Sequence, residues 1–320
     1  MSLDMLPRIL TKIVPFGAQK RVLDFLVRVV AAIGNSPKIS FAGSTVYLMP
    51  KDRSSAHILV SYWLWGRWSH ERFQQQLVQQ IIQTRENEVV FVDGGASFGM
   101  YSLLAAEQEA TRVVAAIEAD PHTFECLERT VSESHHATKI RCMNAALVDR
   151  SDREVAISRV GKANSEWTQV TQVDNSGADS ARIRSITVQE ILDEIRPHQN
   201  DSVIIKLDIE GAEPLAIAGM ESFLNEERDT IVFLEFHAGV LNRFSGEAEQ
   251  FATELWKTNM ADIFSINERH QTLEKIGDLD TFLQLVSRLN KREFPFNLTN
   301  LLLTKKPLAV PGLVTRKYAE

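Results

Sequence analysis

The chain of 320 residues contains only two cysteines, Cys126 and Cys142. They form no CxxC pair and have no histidine at metal-ligand spacing, which argues against a disulfide framework and a cysteine zinc site. Both read as reduced core thiols, which fits a reducing compartment and a cytoplasmic location. Positive charge is also short: 35 Lys and Arg against 42 Asp and Glu leave a net charge of -7. A general phosphate-binding surface is not expected from that balance, nor is nucleic acid as the default partner. No apolar run approaches the ~20 residues that a membrane span needs. The N-terminal stretch is interrupted by Pro7, Lys12, Pro15, Lys20, Arg21, Asp24 and Arg28. Its amphipathic part, Gln19 to Ile33, reads as a helix packed on the main domain, with peripheral membrane contact as the alternative. Internal repeats and low-complexity tracts are absent.

What is present is an ordinary globular composition, 44% hydrophobic and 24% charged, on a chain long enough to bury a large core. Residues 1–85 read as an accessory region of helices and a hairpin, the hairpin around KISFAGSTVYLMP, followed by the aromatic-rich helical stretch SYWLWGRWSHERFQQQLVQQIIQ. Residues 86–320 alternate short apolar runs with helical patterns. EVVFVD, RVVAAIEA, KIRCMNAAL, SVIIKLDIE, TIVFLEFH, ADIFSIN and NLLLTKK read as seven strands, and AEPLAIAGMESFLNEE as one helix. That alternation implies a doubly wound, mostly parallel α/β sheet. Two segments break it: extra strands or a flap over 155–188, and an insertion over 268–297.

The sharpest signal is FVDGGASFGMYS. A buried strand ends at Asp93, Gly94, Gly95 and Gly99 follow, and a helix begins. Glycine permits the tight turn and lets the backbone approach a ligand. The helix start offers N–H groups to an anion, beyond the carboxyl ends of the strands where α/β sheets bind ligands. The spacing D-x-G-x-S-x-G fits neither the dinucleotide fingerprint nor a P-loop. An acid in place of the first glycine suits a ligand that carries an amine or sulfonium beside a carboxylate. Glu118 ends the next strand, where a carboxylate can accept two ribose hydroxyls. Asn144 and Ala145 end the third strand, where short side chains can border an adenine ring.

These residues, VDGGASFGMYS, IEADP, NAAL, IIKLDIEGAE and FLEFH, resemble the FkbM family of S-adenosylmethionine-dependent methyltransferases. The run from Lys206 to Glu213 is the most specific of them. The resemblance covers roughly Glu88 to His237. It implies a Rossmann-like class I methyltransferase fold with an N-terminal accessory region and S-adenosyl-L-methionine as cofactor. It implies a cofactor site built from Asp93, Gly94, Gly95, Ala96, Ser97, Gly99, Tyr101, Ser102, Glu118, Ala119, Asn144, Ala145 and Asp208. The family usually carries Asn where this chain has Ser97, which leaves the contact at that position open. The implied acceptor is a hydroxyl on a sugar, glycolipid or natural product. A Rossmann-type nucleotide-binding oxidoreductase and a catalytically inactive cofactor-binding module are the rival readings.

Methyl transfer to a hydroxyl needs alignment, exclusion of water and a positioned base. Asp208, Glu210 and His237 are the candidate catalytic residues. Asp208 is assigned to the cofactor side or a bound cation, Glu210 to the acceptor side and His237 to general base. Glu213 reads as a first-turn helix acid, and Lys206 either pairs with an acid of the site or reaches the surface. Glu235 shares a side with His237. Asp208, Glu235 and His237 together resemble a hard-cation site, but nothing in their spacing demands a metal and none is expected. Tyr62, Trp63, Trp65 and Trp68 read as packing between the accessory helix and the sheet, or as a lid.

Overall fold

Seven β-branched, apolar runs form the strands that organise the molecule. The computed structural model describes residues 25–29, 32, 37–49, 52–65, 71–151, 154–160, 167–172, 181–244, 248–293 and 297–318. A hairpin comes first, β1 (Lys38–Phe41) and β2 (Ser44–Tyr47), then helices α1 (Arg53–Trp65) and α2 (Arg72–Gln83). The alternating part runs β3 (Val89–Gly94), α3 (Met100–Ala106), β4 (Thr111–Glu118), α4 (Pro121–Ser132), β5 (Ile140–Asn144) and β6 (Ala146–Leu147). After β7 (Glu154–Val160), β8 (Trp167–Gln172) and β9 (Ala181–Ile186) come α5 (Val188–Ile195), β10 (Ser202–Leu207), α6 (Glu213–Ala218), α7 (Glu221–Leu224) and β11 (Thr230–His237). The chain continues with α8 (Ala238–Phe244), α9 (Ala248–Lys257), β12 (Asp262–Asn267), β13 (Thr272–Ile276), α10 (Leu279–Asn290), β14 (Leu298–Thr304) and β15 (Thr315–Lys317).

The main sheet has the order β15-β13-β12-β14-β11-β10-β3-β4-β5. Strands β5, β4, β3, β10 and β11 are parallel, and β14 runs antiparallel between β11 and β12. The seven expected strands are all present, but the sheet has nine. The additional two, β13 and β15, come from the expected insertion and from the C-terminal segment. Leu273 and Ile276 of β13 are buried in the cores on the two faces of the sheet, and the strand extends β12 as a hairpin. The strands over 155–188 do not extend the edge of this sheet. With β6 they form a separate four-stranded sheet, because the chain turns after Asn144 and Ala146–Leu147 pairs with Ser185–Ile186.

Both faces of the sheet are covered. One face packs Ile191 of α5, Ile217 of α6, Leu241 of α8, Phe251 of α9 and Phe282 of α10. The other packs Leu77 of α2, Leu103 of α3 and Leu127 of α4, together with Ile39 and Val46 of the hairpin. The hairpin and α2 therefore share one core with the sheet. Two long-range contacts fix them. The Tyr47 backbone N–H donates to Thr130 Oγ1 of α4 at 3.0 Å. At the start of α2, Phe73 and Gln74 N–H groups donate to the Glu268 carboxylate at 2.9 and 2.8 Å, so a distant acid caps the helix. The helix of residues 19–33 lies outside the described residues except for 25–29 and 32, and so do the polar breaks within 161–166 and 173–180. Among the described residues no helix is long and apolar enough to cross a membrane.

The helix expected over AEPLAIAGMESFLNEE is two helices, α6 and α7, that part at Gly219. A Cβ on Gly219 would stand 2.4 Å from the Val148 carbonyl oxygen. Two effects oppose each other in Gly219→Ala. Alanine favours helix by about 1 kcal/mol, but the overlap with backbone forces the end of the β6 segment to shift, at about 1–3 kcal/mol. The overlap wins, so the substitution is expected to lower the urea midpoint. An unchanged or higher midpoint would show that the Val148 contact yields without cost.

Candidate active site

Strand β3 connects first to β4 and β5 on one side, and the chain returns only later to β10 and β11 on the other. The crevice beyond β3 and β10 is therefore the switch point at which such sheets receive ligands. Residues on adjacent parallel strands that lie opposite each other share a face. Lys206 lies opposite both Asp93 and Phe233, so these three project toward the α2–α3 side.

The turn after β3 is left-handed at Gly95 (φ 73°), Ser97 (φ 49°) and Gly99 (φ 88°). Gly95 and Ala96 N–H groups donate to the Ile117 carbonyl at 3.0 and 2.9 Å. A Cβ on Gly95 would lie 1.9 Å from the Asp208 carbonyl oxygen, and one on Gly94 would lie 2.6 Å from Leu147 Cδ1. The close approach that requires glycine here is thus made by the chain itself, not by a ligand. Ser97, the position that departs from the family pattern, donates its N–H to Glu118 Oε2 at 2.9 Å.

Glu118 stands at the end of β4 and accepts a second N–H, from Asp120, at Oε1. Burial raises its carboxyl to about 7 against the pull of those two N–H groups. Asn144 donates its amide to the carbonyls of Glu118 and Ala119 at 2.8 and 3.2 Å, which fixes the turn beside Glu118. Ala145 is buried in the core, and its N–H donates to the Glu118 carbonyl. Asp93 is fully buried; Ser102 Oγ donates to its Oδ2 at 2.6 Å, and among the described residues Oδ1 has no hydrogen-bond partner. Burial raises Asp93, while Lys206 and Ser102 work in the other direction.

Lys206 is 3% exposed, and its Nζ donates to Asp208 Oδ2 at 3.0 Å. The same ammonium stands 4.8 Å from the centre of the Tyr101 ring. Burial alone would lower this lysine, but Asp208, Asp93 and Glu71 outweigh it and hold the ammonium above its ordinary value. Of the two readings that the sequence leaves for Lys206, pairing with an acid is the one the structure takes. Tyr101 donates its hydroxyl to Glu71 Oε2 at 2.7 Å, and Asn300 Nδ2 donates to Glu71 Oε1 at 3.1 Å. Gln74 Nε2 donates to the Tyr101 hydroxyl at 3.1 Å. A network thus links β10, α3, the start of α2 and β14.

After β10 the chain turns through Glu210 (φ 56°) and Gly211 (φ 98°). Glu213 does more than open α6: its carboxylate reaches back to accept the Ile209 and Gly211 N–H groups, each at 2.9 Å. Burial raises Glu213 to about 7. Glu210 is raised to about 8, by burial and then by Asp208 and Glu213. His237 is 4% exposed, and its Nδ1 accepts the Val240 N–H at 3.3 Å at the start of α8. Burial lowers it. The imidazole is thus engaged with backbone of its own segment.

Glu71, Gln74 and Asn300 are not candidates from the sequence. Glu71 and Asn300 are 229 positions apart, and no local pattern marks either. Asp208, Glu235 and His237 do not bring their ligand atoms together. Among the described residues, the one group of three within 4.8 Å is Glu88, His198 and Asp201, at the opposite end of β3 and β10. Arg112 already neutralises two of them, at 3.0 Å from both Glu88 and Asp201. Tyr62 donates its hydroxyl to the Ser40 carbonyl, which ties α1 to the hairpin. Trp68, and the side chains of Trp63 and Trp65, lie outside the described residues.

A family model described as the methyltransferase FkbM domain matches residues 93–286, more than half of the chain. The chain belongs to the FkbM methyltransferase family. The match extends past the motif-bearing segment to the middle of α10, and the sheet order is that of the expected Rossmann-like methyltransferase fold. Similar solved structures include methyltransferase FkbM from Methylobacillus flagellatus KT, at 12% identity and a TM-score of 0.38, covering 90% of this chain and 60% of that one. Precorrin-6y C5,15-methyltransferase from Geobacter metallireducens GS-15 is 12% identical with a TM-score of 0.35, covering 73% of this chain and 87% of that one. Geranyl diphosphate methyltransferase in complex with GPP and sinefungin is 8% identical with a TM-score of 0.38, covering 79% and 81%. Similarity at this level supports no conclusion about the ligand or acceptor of this chain. A comparison with curated proteins gives no match.

Loss of the Lys206 charge leaves Asp93 and Asp208 without their cation. A fully buried pair broken on one side costs about 3–5 kcal/mol, but the Asp208 side chain keeps 31% exposure, so water screens part of the loss. Lys206→Met is expected to destabilise the protein by about 2–4 kcal/mol at pH 8. Burial already raises the Asp93 carboxyl, and without the cation that opposes it the folded state binds more protons than the unfolded state. The deficit must then shrink as the pH falls toward 5. Urea unfolding of wild type and variant at pH 5 and pH 8 checks this, and a deficit independent of pH would remove the electrostatic account.

Proposed function

We propose that this FkbM-family protein binds S-adenosyl-L-methionine in the crevice beyond β3 and β10 and transfers its methyl group to a hydroxyl oxygen. The acceptor in this reading is a sugar, glycolipid or natural product. The observation that carries the reading is the pairing of Asp93 with Glu118 at the ends of neighbouring strands, with the glycine turn between them. Asp93 Oδ1 is buried and has no hydrogen-bond partner among the described residues, and a ligand ammonium is a group that satisfies such an oxygen. Glu118 accepts one N–H at each oxygen and keeps a lone pair on each, enough for two ribose hydroxyls. Ser97, Ala119, Asn144 and Ala145 frame the space beside it, and Ser102 and Tyr101 hold Asp93 and Lys206 from the α3 side. These groups fit the amino-acid and nucleoside ends of that cofactor. When bound, the cofactor supplies an electrophilic methyl group on a sulfonium.

The residues of the chain then have separable tasks. Asp93 and Glu118 orient the ligand. Lys206 fixes the Asp208 carboxylate at the mouth of the crevice, and Glu213 holds the turn that carries Glu210. His237 serves as a positioning residue that sets the junction of β11 with α8. Alignment and exclusion of water account for most of the rate in a displacement of this kind.

Glu118→Ala removes both ribose acceptors. It is expected to weaken S-adenosylhomocysteine binding by roughly 10–100-fold, the cost of about 1–3 kcal/mol for lost charge-assisted hydrogen bonds. Because Glu118 titrates near 7 and its ionised form accepts the hydroxyls, wild-type affinity is expected to rise between pH 6 and pH 8, and that rise should be reduced in the variant. Titration calorimetry reads both, with NAD as the control that must not bind. Unchanged affinity in a folded Glu118→Ala protein, or preference for NAD, would overturn the reading.

A further inference from the structure

Every residue of β11 from Thr230 to His237 is buried except Glu235, which is half-buried. The strand is flanked by β10 on one side and β14 on the other. A strand inside a sheet meets solvent only where the layer above it leaves a recess. The register fixes the face: Phe233 lies opposite Lys206, and Glu235, two residues on, lies opposite Asn300. Glu235 therefore projects on the Asp93–Lys206 side, past the end of β10, where Asp208 and Glu210 stand.

The neighbouring carboxyls are engaged. Asp208 is paired with Lys206, Glu71 accepts from Tyr101 and Asn300, and Glu213 accepts two backbone N–H groups. Glu235 makes no hydrogen bond or ion pair among the described residues. A carboxyl on a rigid strand, left unpaired in a recess beside a proposed methyl-transfer centre, is suited to exchange a proton with what enters the recess. The Asp208 carboxylate is held at 3.0 Å by the Lys206 ammonium and serves as its counter-charge. Among the described residues Glu210 is also unpaired, but it sits in a strained left-handed turn rather than on the sheet.

We propose that Glu235 is the catalytic base of the transfer, taking the proton of a hydroxyl acceptor while Lys206 and Asp208 stand beside it as a locked pair. The inference rests on the function proposed above, methylation of a hydroxyl by an S-methyl sulfonium donor. The acceptor proton passes to a Glu235 carboxylate oxygen as the O–CH3 bond forms. The C–S bond breaks with its electron pair left on sulfur, so the sulfonium charge is discharged to a neutral thioether.

In the free protein the surroundings of Glu235 favour its protonated form. Burial raises it well above the ordinary range, and the charges of Asp208, Glu210 and Glu213 after β10 and of Glu71 before α2 add to the shift. Lys206 on β10 is committed to Asp208, and Asn300 on β14 is neutral. On its own strand the nearest titratable group is His237, which burial keeps on the neutral side. Glu235 must therefore shed its proton before it can act, and it does so when a cation enters the recess. A sulfonium ligand is expected to expel this proton and a thioether is not.

Calorimetric binding of S-adenosylmethionine and of S-adenosylhomocysteine, at pH 7 in buffers of different ionisation enthalpy, counts the protons released by each. Wild type is expected to release up to about one more proton with the sulfonium ligand than with the thioether. Glu235→Gln should lose most of that excess while binding S-adenosylhomocysteine within about threefold of wild type, a shift under 1 kcal/mol. Glu210→Gln should keep the excess. Glu235→Asp retains a carboxyl and should keep it too, which preserves the test if the glutamine variant does not fold. Equal release by the two ligands in wild type, or an excess that survives Glu235→Gln or disappears in Glu235→Asp, overturns the proposal. Failure of wild type to bind either ligand would instead end the function proposed above, and this inference with it.

Discussion

One buried ammonium sets the electrostatics of the whole carboxyl end of the sheet. Lys206 sits in the apolar run SVIIKL, at a position where desolvation of a charge is costly. It is tolerated because Asp208 is in direct contact and Asp93 lies opposite it on β3. The converse also holds. Asp93 is fully buried, and Lys206 and Ser102 are what favours its charge. Neither acid nor lysine is sustainable alone, so β3 and β10 are coupled by charge as well as by their backbone ladder. The Tyr101 ring, 4.8 Å from the ammonium, extends this coupling to α3, and the tyrosine hydroxyl extends it through Glu71 to α2 and β14.

With one ammonium and several carboxyls, the group divides in two. Glu118 and Glu213 are satisfied by backbone N–H groups, Asp208 by Lys206, and Glu71 by Tyr101 and Asn300. Glu210 and Glu235 are left, and both are pushed upward by burial and by the charges that the others retain. The arrangement separates fixed charges from exchangeable protons. Such a separation among neighbouring acids is how one site can hold a cation and move a proton near neutrality.

The parts of this design that are contiguous in sequence can be read from sequence. The strand-turn-helix at Asp93, the acid at Glu118 and the run from Lys206 to Glu213 each carry their spacing within a dozen residues. They also place the ligand turn at the carboxyl end of a strand, because alternation with helices implies a doubly wound parallel sheet. Reasons and partners are less legible. The glycine at position 95 reads as room for a ligand, whereas the Asp208 carbonyl, more than a hundred residues away, is what fills the space. Glu213 reads as a first-turn acid, yet its carboxylate also binds the two N–H groups of the turn before it. His237 reads as a free base, yet its ring accepts the Val240 N–H. The split of one expected strand into β5 and β6 depends on pairing with β9, 39 residues on from Ala146 to Ser185. In each case a tertiary contact overrides what local pattern supplies.

The segments that build the two sides of the crevice also differ in origin. Asp93, Glu118, Asn144, Lys206 and Asp208 all fall inside the stretch that matches the family, residues 93–286. Glu71 and Gln74 come before it and Asn300 comes after it, and these three close the network around Tyr101. The groups that would grip a shared donor are thus drawn from the shared part of the chain. The wall that faces Glu235 is drawn from outside it, where α2 is clamped by Glu268 and β14 lies against β11. In the function proposed above, substitution of Asn300 in that wall would change what meets the acceptor and leave the direct contacts of Asp93, Glu118 and Lys206 in place, whereas substitution of Glu71 would also reach Lys206. In that reading a donor grip and an acceptor wall share one sheet, because the strand order places Asp93 on β3 and Asn300 on β14 on opposite sides of Lys206.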